Sequence, residues 1–159
     1  MKIEYENKFS DILLFHAVHQ FFSPVLQGFY ILLFVVILMM GHNWSKDGFL
    51  PALVDAFVWY VALWLFQFLF NAIYFHSRKN KSALTKHTVE IQTESFYEET
   101  KYNKSYFHWN GVHKVVRRLG FVAVYVTPHM AHIIPKRAFS SEAQMSSFIN
   151  ECKDKLSAA

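Results

Sequence analysis

Charge is missing from one long stretch of this chain: no Asp, Glu, Lys or Arg lies between Asp11 and Lys46. Cysteine is nearly absent too. Cys152 alone excludes an intrachain disulfide and argues against a structural zinc site, which needs several thiolates. Only 5 glycines are present, and none sits in a loop patterned to cradle a phosphate. GxSxG, HExxH and paired-carboxylate signatures are also missing, so no residue is named as catalytic and no cofactor is implied. The expectation is a protein that is not an enzyme.

Grease fills the place of the missing charge. Hydrophobic residues make up 53% of the chain and charged ones 18%, against about a quarter charged in ordinary soluble domains. "VLQGFYILLFVVILMMG" lies within an apolar run from Phe21 to Gly41, with Pro24 where the first turn of a helix tolerates proline. "PALVDAFVWYVALWLFQFLFNAIYF" runs from Pro51 to Phe75. About 20 such residues cross a bilayer core of roughly 30 Å, so two spans are expected, over about 23–41 and 51–75. A cleaved signal peptide fits poorly, because the first run starts late, lacks a basic region ahead of it and is followed by a second run.

The connection "HNWSKDGFL" balances one Lys with one Asp, whereas "HSRKNKSALTKH" after the second run carries Arg78, Lys79, Lys81 and Lys86. Basic flanks stay cytoplasmic, so a helical hairpin with both termini in the cytoplasm is expected. Within it, Gln27 and Asn71 are expected to lie nearly level. Gln67 and Asn71 share a face with Tyr60, Trp64 and Tyr74, and Gly28 would admit a close backbone. Gln27, Gly28, Gln67 and Asn71 are the candidates for a helix–helix contact, or for a seam that takes a partner or a second copy. Asp55, one turn into its helix, suits the positive end of the helix dipole.

The remainder alternates. "KIEYENKF" reads as a strand, and Ser10 as the N-cap of "DILLFHAVHQFF". In that helix Leu13, Leu14, Ala17, Val18 and Phe21 fall on one side, with His16, His19 and Gln20 opposite. "TVEIQT", "YFHWNGVHKVV", "FVAVYVT" and "AHIIP" suggest an antiparallel meander of about five strands. "SEAQMSSFINECKDKL" reads as a helix with a Ser141–Gln144 capping box and an apolar stripe of Met145, Phe148, Ile149, Cys152 and Leu156. The expected chain is an α+β membrane protein: an N-terminal strand and helix over 1–22, a transmembrane hairpin over 23–77, and a small antiparallel β domain capped by a C-terminal helix over 78–159.

The order "IEY…DILLF…H", hairpin, "LTKHTVEIQTESFYEET", "YFHWNGVHKVV" and "IIPKRAFSSE" resembles the YcxB-like family of small bacterial membrane proteins. That resemblance implies a pleckstrin-homology-like C-terminal domain and a place in the bacterial inner membrane. It transfers no reaction, and fold likeness alone does not specify activity.

His129 with His132, and His16 with His19, are pairs that lack the third and fourth ligands a divalent site needs, and are read as surface histidines. Cys152 and Trp109 are read as core. Lys114, Arg117, Arg118, Lys136 and Arg137, with Arg78, Lys79 and Lys81, are candidates for lipid or partner contact, the plainer reading being solvated charge. The formal net charge of +4 is largely explained by the membrane flank, so nucleic acid is not expected. The leading expectation is a non-enzymatic inner-membrane protein whose cytoplasmic domain binds the lipid surface or a membrane or cytoplasmic protein. Two alternatives are an immunity protein against a pore-forming toxin, acting through the spans and an outer loop with Trp44 and Lys46, and an accessory subunit of a larger complex.

Overall fold

The computed structural model describes residues 1–40, 48–77, 83–128 and 130–159. Within them the chain is α+β, with four α-helices and seven strands in two antiparallel sheets. It divides into two compact units, Met1–Phe15 with Phe75–Ala159, and His16–Tyr74.

The first unit holds both sheets. β1 (Lys2–Glu6), β2 (Lys86–Ile91), β3 (Ser95–Thr100) and β4 (Lys104–His108) form one in that order. β5 (Lys114–Arg118), β6 (Phe121–Tyr125) and β7 (Ala131–Pro135) form the other. Alternation works as expected in β1, where Ile3 and Tyr5 are buried, and in β2, where His87 joins Val89 and Ile91 inside. β1 is the neighbour of β2 across the whole helical segment, pairing Tyr5 with His87 and Glu6 with Lys86.

Seven strands replace the expected five or so: "SFYEET" after "TVEIQT" is a strand of its own, and "YFHWNGVHKVV" is folded in half. "TVEIQTESFYEET" turns where the Gln92 N–H donates to the Ser95 carbonyl at 3.0 Å, which separates β2 from β3. "YFHWNGVHKVV" is broken by a 3-10 turn at Trp109–Gly111, where the chain leaves one sheet and starts the other. Trp109 is buried as expected, and its indole N–H donates to the Gln92 carbonyl at 3.1 Å, so it pins the first turn as well.

β6 is the middle strand of its sheet and is buried along its full length. Val122 and Val124 enter the main core with Val89, Phe96 and Ile134. On the opposite face Phe121 and Tyr125 meet Phe15, at ring-centroid distances of 5.7 and 6.4 Å. Both sides of the strand are therefore covered, which suits the unbroken apolar run "FVAVY". The last helix, α4 (Glu142–Ala158), is capped by Ser141, whose hydroxyl accepts the Gln144 N–H at 3.1 Å. The return leg falls one residue early, since Gln144 Oε1 accepts the Ser140 N–H at 2.6 Å. Met145, Phe148, Ile149 and Cys152 are the buried stripe, with Leu156 partly buried.

α1 (Phe9–Phe22) starts one residue before the expected cap at Ser10. Asp11, in its first turn, accepts the Lys8 N–H at 2.6 Å and does the capping instead. The second unit contains the end of α1, then α2 (Pro24–Met40) and most of α3 (Phe49–His76). α3 has 28 residues, about 42 Å of helix, and is long and apolar enough to cross a membrane. α2 has only 17 residues and passes that test only jointly with α1, across a 63° bend. The helix expected over about 23–41 begins where it was read, with Pro24 in the first turn of α2: α1 ends at Phe22, and Pro24 has no N–H to continue its ladder. Residues 41–47, with Trp44 and Lys46, lie outside the described residues.

The expected faces of α1 are corrected. Ile12, Phe15 and Gln20 are its buried positions, while Phe21 and Phe22 stand outside.

Candidate functional site

Three groups of side chains were candidates, and each can be built within its own unit. In the helical unit a polar seam joins the three helices. Gln20 Nε2 donates to the Tyr30 hydroxyl at 2.9 Å and to the Trp64 carbonyl at 3.1 Å. Gln27 Nε2 donates to the Gln20 carbonyl at 2.9 Å, and the Tyr60 hydroxyl donates to Gln27 Oε1 at 3.0 Å. The rings of Tyr30 and Tyr60 meet edge to face at 6.0 Å.

This register corrects the expected level pairing of Gln27 with Asn71. Tyr60 lies eleven residues before Asn71, about 16 Å along α3. α2 is short and starts at the bend, so Gln27 meets the middle of the longer α3 rather than its end. Gln67 donates to Asn71 at 3.4 Å within α3 itself. At Gly28 an added Cβ would find nothing within 4 Å, so the close approach expected there is not made among the described residues. Gln20 was missed as a seam residue. No periodic signal reveals it, because Gln20 and Gln27 lie on different helices, on either side of the 63° bend.

The basic candidates of the β unit are mostly engaged. Arg137 grips Asp11 with both guanidinium nitrogens, at 2.5 and 2.6 Å, and donates to the Glu6 carbonyl at 2.8 Å. Burial works to raise the Asp11 carboxyl, but the Arg137 hydrogen bonds and the Lys8 N–H overcome it and hold the group below its usual range. Arg117 donates to Glu142 at 2.7 Å, and Lys136 pairs with the same carboxylate. Lys114 lies over the Tyr125 ring at 5.1 Å. Arg117, Arg118 and Lys136 come together along a groove of about 400 Å³ beside Leu119 and Gly120. Arg137 and Asp11 border a second cavity of about 590 Å³ next to the start of α4. Arg78, Lys79 and Lys81 lie outside the described residues.

A third cluster was not read from the sequence. Glu98 on β3 sits between two imidazoles, with its Oε1 3.0 Å from His87 Nδ1 and 2.8 Å from His132 Nδ1. All three side chains are largely buried. Burial alone would raise the Glu98 carboxyl, yet hydrogen bonds from His132 and His87 bring it down to about 2. Tyr5 stacks on His87, 5.3 Å between centroids, and its buried hydroxyl has no hydrogen-bond partner among the described residues. Burial first, then the Glu98 charge, pushes that hydroxyl well above its usual range. The alternation that turned Val89 and Ile91 inward already implied His87, but His132 was read as surface. It is instead packed against Phe107 at 4.9 Å, which corrects that reading. His129 lies outside the described residues, and His16 and His19 are partly buried on α1. Among the described residues no group of three or more His, Cys, Asp or Glu is arranged to hold a metal ion. The Cys152 thiol is buried, and burial pushes it up to about 12.

The arrangement is that of a small two-sheet unit with a C-terminal helix, interrupted after β1 by apolar helices. The family model described as YcxB-like protein matches residues 91–152, from the end of β2 into α4, and this part of the chain is YcxB-like. No curated protein and no solved structure gives a significant match.

Proposed function

We propose that the chain is a non-enzymatic protein of a bacterial inner membrane, whose β unit is a cytoplasmic binding module of pleckstrin-homology-like type. The observation that carries this reading is inverted burial in the helical unit. Gln20 is 1% exposed, whereas its neighbours Phe21 and Phe22 are 61% and 60% exposed. Phe29, Leu32, Phe57, Phe66, Phe70 and Ile73 are exposed along α2 and α3 as well. A polar inside with an apolar outside suits hydrocarbon as the solvent and is costly in water.

Strand pairing supports the topology. Glu6 and Lys86 are opposite one another in a ladder, so the chain between them must return to the side it left. If α3 crosses, an even number of crossings is required, and the bent α1–α2 pair supplies the second. The basic run after α3 favours the cytoplasm for that side. Four strands, then three, then a terminal helix is the order expected of a pleckstrin-homology-like fold. The module's ligand is the lipid surface or a membrane or cytoplasmic protein.

Membrane fractions containing the full chain test the reading. The protein should resist alkaline carbonate, require detergent for release, and bring down a stoichiometric protein or anionic lipid when extracted gently. A folded monomer dispersed in buffer without detergent removes the proposal, and a reporter at Ala159 active only outside the cytoplasm reverses its orientation.

A further inference from the structure

The tight turn between β5 and β6 carries an unusual tip. Leu119 is 84% exposed, more than any other large apolar side chain described. Arg117 and Arg118 precede it, and Gly120 follows in the left-handed region at φ 85°. The tip is held firmly: the Gly120 carbonyl accepts the Lys136 N–H at 2.8 Å, and Gly120 lies against Leu14 of α1. Leu14 is itself partly exposed. Leu119 therefore projects from a fixed hairpin with three cations beside it, Arg117, Arg118 and Lys136, and one acid, Glu142, among them.

We propose that this turn is an interfacial anchor for an anionic lipid surface. Leu119 enters the boundary between headgroups and acyl chains, and the flanking cations sit at phosphate level. The inference rests on the membrane reading above and names the ligand of the β unit. A protein partner would ask for a broader patch with aromatic anchors. A single aliphatic knob ringed by long basic side chains matches an interface that is apolar below and anionic above.

A spin label tests the proposal in the full chain. Cys152 is buried, so a nitroxide reagent reacts at Leu119→Cys, and Tyr102→Cys on the β3–β4 turn serves as a second exposed site. The protein is reconstituted in phosphatidylcholine vesicles with and without phosphatidylglycerol. With the anionic lipid, collision with a water-soluble nickel complex should fall about threefold or more at 119 relative to 102, as for a side chain below the headgroups. Protection should weaken in phosphatidylcholine alone and in the Arg117→Gln/Arg118→Gln double variant. Equal nickel access at both sites in protein that floats with anionic vesicles overturns the anchor and leaves the membrane reading standing. Protein that does not float with vesicles overturns both.

Discussion

His132 on β7 and Glu98 on β3 meet at 2.8 Å, and this contact links the two sheets through buried polar atoms. His87 approaches the same oxygen from β2 at 3.0 Å. Glu98→Ala removes the acceptor shared by two buried imidazoles and should cost about 3 kcal/mol or more. Glu98→Gln keeps an acceptor and should cost less. The carboxyl falls to about 2 in the folded protein from an ordinary value of 4.5. Its folded value is depressed, so the stabilisation is present above about pH 4.5 and fades as pH drops toward 2. Acid unfolding followed by tryptophan fluorescence should show that loss in the parent and a flatter response over the same window in Glu98→Gln. Parallel acid curves for the two would remove the linkage.

The Gln27–Tyr60 bond makes a separate prediction about the helices. Gln27→Leu and Tyr60→Phe each delete one side of a 3.0 Å hydrogen bond between α2 and α3. Their coupling energy should be about 0.6–2 kcal/mol, the range for such bonds between membrane helices. A double-mutant cycle by unfolding in mixed micelles measures it. Gln67→Leu should show no coupling to Gln27→Leu, because Gln67 is engaged with Asn71 on its own helix.

Local patterns are legible in the sequence. The stripe of α4, the apolar runs and the alternation of β2 are each set by residues within a turn or two of one another, so period alone reveals them. The strand after "TVEIQT" is harder to read because neither Gly nor Pro marks the turn before it; a contact that holds that turn comes from Trp109, seventeen residues from Gln92. Gln20 sits inside because its amide donates to Tyr30 and to the Trp64 carbonyl, partners on other helices that the period of α1 does not reveal. The helix register was misjudged because it depends on the bend at Ser23. Glu98 was unreadable as a site, since its partner His132 is brought to it by the stacking of one sheet on the other.

Cys152 offers a chemical check on the core. The thiol is buried on α4 and pushed up to about 12, mainly by burial, so the reactive thiolate is scarce at neutral pH. Maleimide should fail to label the native protein and should react as denaturant unfolds the β unit, in step with the fluorescence of Trp109 in a variant whose other three tryptophans are replaced by phenylalanine. Rapid labelling under native conditions would mean that α4 leaves the sheets without global unfolding. Cys152→Ser should destabilise more than Cys152→Ala, because a hydroxyl would be buried among apolar neighbours.

Gly120 separates backbone strain from crowding. An added Cβ would lie 2.8 Å from Leu14 Cδ2, and the residue's φ of 85° disfavours any L side chain. The Leu14 methyl is the far end of a flexible side chain and can move, so the clash is the smaller obstacle. The left-handed backbone cannot be relieved without disturbing the turn. Gly120→Ala should therefore cost about 1–2 kcal/mol. Adding Leu14→Ala to that variant should recover only the minor part. Gly120→Asn should be milder than its size suggests, because asparagine tolerates the left-handed region better than alanine. Thermal melts of the three variants in one detergent decide the matter. Full recovery by Leu14→Ala would assign the cost to crowding and not to the backbone.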